Sequence, residues 1–199
     1  MKTPTQNKEA RGDAPDGEKT NGEDQQLASD ILGGQDTLRL ASSSFDESGR
    51  IPLRFSDYGQ GISPALHWSM GPPGTQSYAL IVEDPDAPKP HPVVHWLLFN
   101  IPSRTTRLAE AVPGVPTLGE PKGAEQGMNT HGITGYSGPR PPGADPHRYH
   151  FQLFALDSRL DLRSGVSRDD LIAAMRGHVL ARGEAIGSFQ KPEGAEQQS

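Results

Sequence analysis

The 199-residue chain contains no cysteine, which excludes disulfide bonds, thiolate metal ligands and a cysteine nucleophile. A chain without cysteine fits a reducing compartment, and the cytoplasm is the default expectation. The sequence also has no apolar run near the roughly 18 residues of a transmembrane helix, and its polar N-terminus lacks the apolar stretch of a signal peptide. We therefore expect neither an integral membrane segment nor export by the general secretory route.

Hydrophobic residues and clusters of basic residues are scarce as well. Hydrophobic residues make up 33% of the chain, whereas its 23 glycines and 19 prolines favour turns and loops over long helices. The formal net charge is -6, and Lys and Arg do not gather into the basic face that nucleic-acid binding needs. The composition predicts a loop-rich, mainly β protein of one domain that does not bind nucleic acid.

Composition divides the chain into three parts. Residues 1–36 have no aromatic side chain, and their four basic and eight acidic residues give a net charge of -4 (4 minus 8). Such an arm cannot bury enough apolar surface to offset the entropy lost on ordering, so we expect it to be disordered, with a regulatory docking arm as the alternative. The folded domain is expected over residues 37–190, starting with a strand at Thr37–Leu40, and residues 191–199 form a polar tail.

Three apolar segments predict β-strands. The segments Tyr78–Val82 and Val93–Phe99 are apolar on both faces, which is typical of strands inside a sandwich. The segment Arg148–Leu156 alternates with a period of two, so that Tyr149 points to the buried face. His147 shares that face at the start of the strand.

A short helix and a long connection complete the pattern. Ser167 and Asp170 form a Ser-x-x-Asp capping pattern, which predicts a helix that ends before Gly177. The residues from Ala111 to Gly143 are rich in glycine and proline and show little periodicity. A connection of this length in a compact domain is usually either functional or disordered.

Two carboxylates follow directly after the first predicted central strand. Asp84 and Asp86 belong to the segment Asp-Pro-Asp-Ala-Pro, which ends at Pro88. The two prolines stiffen this segment, so that it could present a carboxylate from the end of the strand. The alternative is an Asp-Pro turn with both carboxylates in solvent, and local sequence does not decide between the two.

The histidine spacing predicts no metal site. His91 and His95 stand four residues apart, which on a helix would let them share an ion, but Pro92 and two valines favour a strand. On a strand their side chains would be roughly 13 Å apart, at about 3.3 Å per residue. His95 interrupts an apolar strand, so its imidazole must be hydrogen-bonded, and a purely structural role is the alternative to ligand binding.

A glycine- and proline-rich segment, residues 135–143, leads into His147-Arg148-Tyr149. Its backbone N–H groups could approach an anion, although the prolines limit the number of donors. It matches neither the phosphate-binding loop nor the dinucleotide-binding fingerprint, and the G-x-S-x-G nucleophile elbow is absent from the chain. A Ser–His pair assembled in space stays open.

Taken together and in this order, the motifs resemble the phosphatidylethanolamine-binding protein family, in particular its bacterial Raf-kinase-inhibitor-like branch. The resemblance covers roughly Thr37 to Gln190. It rests on an I-S-P-x-L-x-W segment at Ile62–Ser69, a D-P-D-A-P signature within Val82–Pro88, the strand His95–Asn100, and a G-P-x-P-P and H-R-Y block at Gly135–Pro142 and His147–Tyr149.

The resemblance implies a Greek-key β-sandwich with one or two short peripheral helices and a small cavity that accepts phosphate, sulfate, acetate or phosphorylated head groups. Carried over to this chain, the ligand-binding residues are Asp84, His95, Gly138, Pro139, His147 and Tyr149. Further pocket-lining residues are Asp86, Pro88, Trp96 and Phe189. Two departures stand out, because Phe189 replaces a tyrosine of many relatives and residues 55–61 lack a cysteine that many bacterial members carry.

The implied function is non-catalytic binding of a phosphate-type anion, a phosphorylated small molecule or a lipid head group, with a kinase or serine protease as the regulated partner. No cofactor, metal or catalytic residue is implied. Two imidazoles and a phenol would donate to the anion while Asp84 orients one imidazole, and binding should tighten as the histidines are protonated.

Two other functions and the oligomeric state stay open at this point. The chain could inhibit a serine protease or a kinase through surface loops, or act as a small hydrolase that uses Asp84, His95 and His147. The resemblance suggests a homodimer, whereas the residues themselves leave the oligomeric state undecided.

Overall fold

The computed structural model describes residues 26–46 and 48–195. The helices are α1 (Ala28–Leu32) and α2 (Arg168–Met175), and a 3-10 helix spans Leu53–Phe55. The strands are β1 (Gln35–Asp36), β2 (Leu40–Ala41), β3 (Leu66–Trp68), β4 (Ser77–Asp84), β5 (Val93–Pro102), β6 (Arg107–Leu108), β7 (Glu125–Gln126), β8 (His147–Leu156) and β9 (Val179–Phe189). None of the helices in these ranges is long and apolar enough to cross a bilayer.

The strands form two sheets with a Greek-key order. The larger sheet has the order β1-β9-β8-β4-β5-β7, and the smaller one has the order β2-β3-β6. Within the larger sheet β4, β5 and β7 are neighbours in chain order, and β8 returns through a long connection to pair with the other edge of β4. This is the spatial order of a Greek key. The predicted mainly β sandwich with two short helices is therefore confirmed.

The central strands are buried on both faces, as their apolar sequences predict. All eight residues of β4 are buried. One core cluster lies between the two sheets and includes Trp68, Tyr78, Trp96 and Phe151. A second cluster lies under the helices on the outer face of the larger sheet and includes Ile81, Leu97, Phe154, Leu171 and Met175. Helix α2 begins at the predicted cap, where the Ser167 hydroxyl accepts the Asp170 N–H at 3.2 Å.

Strand β9 is the longest strand, although its sequence does not predict one. It pairs with β8 over the full length of that strand, from His147 opposite Phe189 to Leu156 opposite Val179. Charged residues and glycines interrupt its apolar pattern, so the sequence lacks the regular alternation that would predict a strand. Gly183 has a packing reason, because a Cβ atom there would lie 2.1 Å from the Leu38 carbonyl oxygen.

The last part of the predicted N-terminal arm is folded onto the domain, so the expectation of disorder through residue 36 is wrong for residues 26–36. Helix α1 lies there, and the Ala28 N–H donates to Glu83 Oε2 at 2.9 Å. The Ser29 N–H donates to Gln152 Oε1 at 2.7 Å, and Arg182 Nη1 donates to the Ser29 carbonyl at 2.7 Å. Composition understates this docking, because backbone groups make these three hydrogen bonds and only a few apolar side chains, those of Ala28, Ile31 and Leu32, pack on the outer core cluster. The other arm residues, 1–25, lie outside the described residues, as do residues 196–199 of the tail.

The strand predicted at Thr37–Leu40 is displaced rather than absent. Residues Gln35–Asp36 pair in parallel with β9, and Leu40–Ala41 pair with β3 in the smaller sheet. The chain thus passes from one sheet to the other within the segment that the sequence assigns to a single strand.

Candidate anion-binding site

Three neighbouring strands bring the predicted site residues to one end of the larger sheet. Asp84 is the last residue of β4, His95 lies near the start of β5, and β8 begins with His147 and continues through Tyr149. Since β4 pairs with both β5 and β8, these ends are adjacent in space.

A β-bulge turns His95 toward the inner face of the sheet. Val82 pairs with Trp96 and Glu83 pairs with Val94, which leaves His95 without a partner across the strand. Val94 and Leu97 accordingly face the outer core, whereas Trp96 faces the inner core. Bulges commonly re-aim a side chain beside a functional site. Here the extra residue places an imidazole against the Tyr149 ring, with centroids 5.1 Å apart in an edge-to-face arrangement.

Asp84 is a buried, fully engaged carboxylate, so the alternative of a solvated turn is wrong for this residue. Its side chain Oδ1 accepts the backbone N–H groups of Asp86 and Ala87, at 2.9 and 3.1 Å. Its Oδ2 lies 2.8 Å from Nδ1 of His147, and the two residues are only 3% and 8% exposed. Asp84 therefore holds Nδ1 as the protonated nitrogen of that ring, which leaves Nε2 for a ligand.

His95 is held by the opposite wall of the site in a similar way. Its Nδ1 lies 2.8 Å from the Ser137 carbonyl oxygen, which can only accept, so this nitrogen carries the proton. Burial lowers the pKa of His95, because the cation would lose hydration that the Ser137 carbonyl and the charge of Asp84 replace only in part. The ring is therefore neutral at pH 7, with a lone pair on Nε2.

The Tyr149 hydroxyl is a buried donor without a well-formed hydrogen bond. The residue is 1% exposed, and its oxygen forms no hydrogen bond of good geometry among the described residues, although the Asp84 carboxylate lies close enough to act on it as a weak acceptor. Burial first, and then the negative charge of Asp84, raise the pKa of the Tyr149 phenol. The group stays protonated and keeps its O–H to donate.

We expect Tyr149→Phe to stabilise the protein in the absence of ligand by about 1 kcal/mol, because an unsatisfied buried polar group costs about 1–3 kcal/mol. The substitution removes only the hydroxyl and leaves the ring packed on His95. Urea denaturation of both proteins in an anion-free buffer measures the difference. A clear loss of stability would show that the hydroxyl already has a partner.

Asp57 holds the wall of the site that Gly138 and Pro139 form, and no sequence motif indicates this residue. Asp57 Oδ1 accepts the Gly138 N–H at 2.8 Å, and the Asp57 N–H donates to the Pro139 carbonyl at 3.1 Å. A Cβ atom at position 138 would lie 2.6 Å from the Asp57 backbone nitrogen, so only glycine fits. The expectation that this segment offers its N–H groups to an anion is therefore wrong for Gly138, whose N–H is already used.

The four pocket-lining residues predicted with less support have different positions. Asp86 forms a two-point ion pair with Arg148, whose Nε and Nη2 donate at 2.9 and 2.6 Å, and these hydrogen bonds lower the pKa of Asp86. Trp96 is completely buried and donates to Gln126 Oε1 at 2.6 Å, so it supports the sheet, and its role in lining the pocket stays a prediction.

The other two differ in exposure. Phe189 is buried opposite His147 and stacks on Tyr58, with ring centroids 6.2 Å apart. Pro88 is exposed in the loop after β4. Its predicted role in the pocket stays a prediction.

The four converging side chains are buried, and they lie apart from the broad surface grooves. The groove of about 590 Å³ between Lys89 and Asp169, for example, includes none of the four converging side chains. Within the described ranges no group of three or more His, Asp or Glu side chains could hold a metal ion.

Comparison with known proteins identifies the family. The sequence profile of the phosphatidylethanolamine-binding protein family matches residues 41–190. The chain belongs to the phosphatidylethanolamine-binding protein family. The predicted family is thereby confirmed, and helix α1 and strand β1 precede the residues that the profile matches.

Individual members of the family agree with this assignment. A protein of Methanothermobacter thermautotrophicus known as a UPF0098 protein is 45% identical over 154 residues, which are 77% of this chain and 99% of the relative. The crystal structure of a putative phosphatidylethanolamine-binding protein homologue from Chlamydia trachomatis superposes with a TM-score of 0.70 at 37% identity, over 79% of this chain and 100% of the other. Escherichia coli YbcL, described as a member of the mammalian family, gives 0.72 at 29% identity, over 78% and 99%.

Proposed function

We propose that this family member is a non-catalytic binding protein whose site holds a phosphate-type anion, and that the occupied site regulates a protein partner. The observation that supports this most is the Tyr149 hydroxyl, a buried donor beside His95 that forms no well-aligned hydrogen bond among the described residues. Such a group costs stability unless a ligand supplies an acceptor, and an anion would supply one. Inorganic phosphate, a phosphorylated small molecule and a phospholipid head group all offer that chemistry.

Anion binding at this site is coupled to proton uptake. Both imidazoles use Nδ1 to hold their place, against the Ser137 carbonyl for His95 and against Asp84 for His147. In the neutral form Nε2 has a lone pair, which repels an anion, and it becomes a donor only when the ring is protonated. Charge-assisted hydrogen bonds to an anion are about twice as strong as neutral ones. Affinity should therefore rise as the pH falls.

We expect sulfate to bind at least about tenfold more tightly at about pH 5 than at about pH 8, because a protonated imidazole donates from Nε2, and burial moves the protonation of His95 below its usual pH range. Sulfate is the suitable probe because its own charge is constant over this range, unlike that of phosphate. Isothermal titration calorimetry in two buffers with different ionisation enthalpies measures both the affinity and the number of protons taken up.

Two results would count against this coupling. An affinity for sulfate that does not change with pH would mean that no imidazole titrates on binding. Absence of binding to sulfate and to phosphate at both pH values would reject the anion site altogether.

Exposed apolar side chains near the site favour a protein partner. Val115, Met128 and Ile133 are 43%, 45% and 53% exposed on the connection between β6 and β8. This connection also supplies Ser137 and Gly138, which hold His95 and form the wall of the site. A ligand that tightens the wall could thus alter a surface that a kinase or a serine protease contacts.

A hydrolase is the second candidate, because Asp84 and His147 form the carboxylate–imidazole pair of an acid–base catalyst. Turnover of a panel of phosphate and carboxylate esters tests it. Hydrolysis that His147→Ala abolishes would favour the enzyme over the binding protein. Turnover that is unchanged in this variant would come from another site or from a contaminant.

A further inference from the structure

Asp57 places a second negative charge beside the anion site, on the wall opposite Asp84. Its Oδ1 is hydrogen-bonded to the Gly138 N–H, and Gly138 directly follows Ser137, whose carbonyl holds His95. The contact is a short one that glycine alone permits, because a side chain at position 138 would collide with the Asp57 backbone. The residue remains solvent-exposed, and its Oδ2 accepts a long hydrogen bond of 3.4 Å from the Ser137 hydroxyl.

The charge of Asp57 acts on the site and not only on the wall. Its field favours protonation of His95, and together with burial it raises the pKa of Tyr136, whose hydroxyl donates to the Phe55 carbonyl. The other charged or titratable groups that act on the His95 ring are Asp84 and His131. Two carboxylates, Asp84 and to a smaller extent Asp57, therefore act on the neutral His95 ring.

This arrangement disfavours a doubly charged ligand. The energy between two charges is proportional to their product, so each carboxylate repels a dianion twice as strongly as a monoanion at the same place. A dianion also gains from protonated imidazoles, but burial opposes the charged form of His95. The Gly138 N–H, which could have offset part of the repulsion, is already bonded to Asp57.

We infer that Asp57 is a specificity-determining residue that makes the site select singly charged anions over doubly charged ones. This inference rests on the proposed anion-binding function. The carboxylate occupies the position on Gly138 that an oxygen of the ligand could otherwise take, and its charge remains when the ligand binds.

Asp57→Asn tests the inference, because the amide oxygen can still accept the Gly138 N–H while the charge is lost. At about pH 7.5, dimethyl phosphate is a monoanion and methyl phosphate is mainly a dianion. We expect the variant to bind dimethyl phosphate about threefold more tightly and methyl phosphate about tenfold more tightly than the wild type, since the second effect is the square of the first. Calorimetric titrations give the affinities of both ligands, and the measured quantity is the ratio of the affinity for methyl phosphate to that for dimethyl phosphate.

Asp161→Asn is the matched control, because Asp161 is an exposed aspartate on the connection before α2. The ratio of the two affinities in this variant should equal that of the wild type. A ratio that Asp57→Asn leaves unchanged would overturn the inference, even if both affinities change, because a purely structural effect on the wall acts alike on both ligands. Asp57→Ala, which removes the charge and also frees the Gly138 N–H for the ligand, should shift the ratio in the same direction as Asp57→Asn. If the wild type binds neither ligand, the proposed function itself fails.

Discussion

Arg168→Ala is expected to lower the free energy of unfolding by about 3 kcal/mol, at the lower end of the range of about 3–5 kcal/mol for breaking one side of a buried ion pair. Arg168 Nε donates to Oε1 of Glu83, which is completely buried on the outer face of β4. Without the guanidinium, this carboxylate keeps only the Gln152 amide at 2.6 Å and the Ala28 N–H at 2.9 Å, both on its other oxygen. Urea denaturation measures the loss.

A surface ion pair in the same protein is the matched control for Arg168→Ala. Arg54 pairs with Glu110, and its side chain is 51% exposed, so Arg54→Ala should cost less than about 1 kcal/mol. Adding Glu83→Gln to Arg168→Ala should recover part of the loss, because a neutral amide does not need a charged partner. If Arg168→Ala is within about 1 kcal/mol of the wild type, Glu83 is not the uncompensated charge that the structure predicts.

His147→Ala is expected to weaken phosphate binding by about 10- to 100-fold at about pH 6. A hydrogen bond to a charged group contributes about 1.5–3 kcal/mol, which corresponds to this loss. The substitution also leaves Oδ2 of Asp84 without its donor at 2.8 Å, so that a buried negative charge then faces the anion. Calorimetry measures the affinity, and a denaturation curve confirms that the variant is folded under the same conditions.

His178 provides the control for the loss of a histidine. Its Nδ1 lies 2.8 Å from Asp157 in an ion pair that resembles the Asp84–His147 pair, but this pair is about half exposed, at 46% and 44%. His178→Ala should therefore leave phosphate affinity unchanged. Equal losses in the two variants would mean that phosphate binds through general charge and not at the proposed site.

The sequence predicts those parts of the fold that are stabilised by apolar periodicity. The segments at Tyr78–Val82 and Val93–Phe99 lie within β4 and β5, and the helix begins after Ser167 as its cap predicts. Strand β9 was not predicted, because it is stabilised by pairing with β8 and by Gly183, whose role depends on the nearby Leu38 carbonyl. Pairing partners and close backbone contacts do not appear in a local pattern.

The docking of the N-terminal segment on the domain also depends on contacts that a local sequence pattern does not contain. Ala28 and Glu83 are 55 residues apart in the chain, and the bond between them uses a backbone N–H that every residue type other than proline offers. A composition reading counts apolar and charged side chains, so it assigns this segment to disorder. The contact becomes visible only when the fold brings β4 beneath α1.

For the candidate site, the residue types were predictable but their geometry was not. The ordered motifs point to Asp84, His95, His147 and Tyr149, and the structure brings these four together. The bulge that turns His95 inward depends on the register of two strands. Asp57 reaches Gly138 across 81 residues of chain, so no spacing rule could connect them.

Histidine ring signals in NMR test most directly whether these four residues form an anion site. During titration with inorganic phosphate at about pH 6.5, the ring signals of His95 and His147 should shift together and saturate with one dissociation constant. The ring of His178, which lies in its own ion pair with Asp157, should not move. If the signals of His95 and His147 do not shift, or if all seven histidines shift alike without saturation, the four residues do not form a phosphate site.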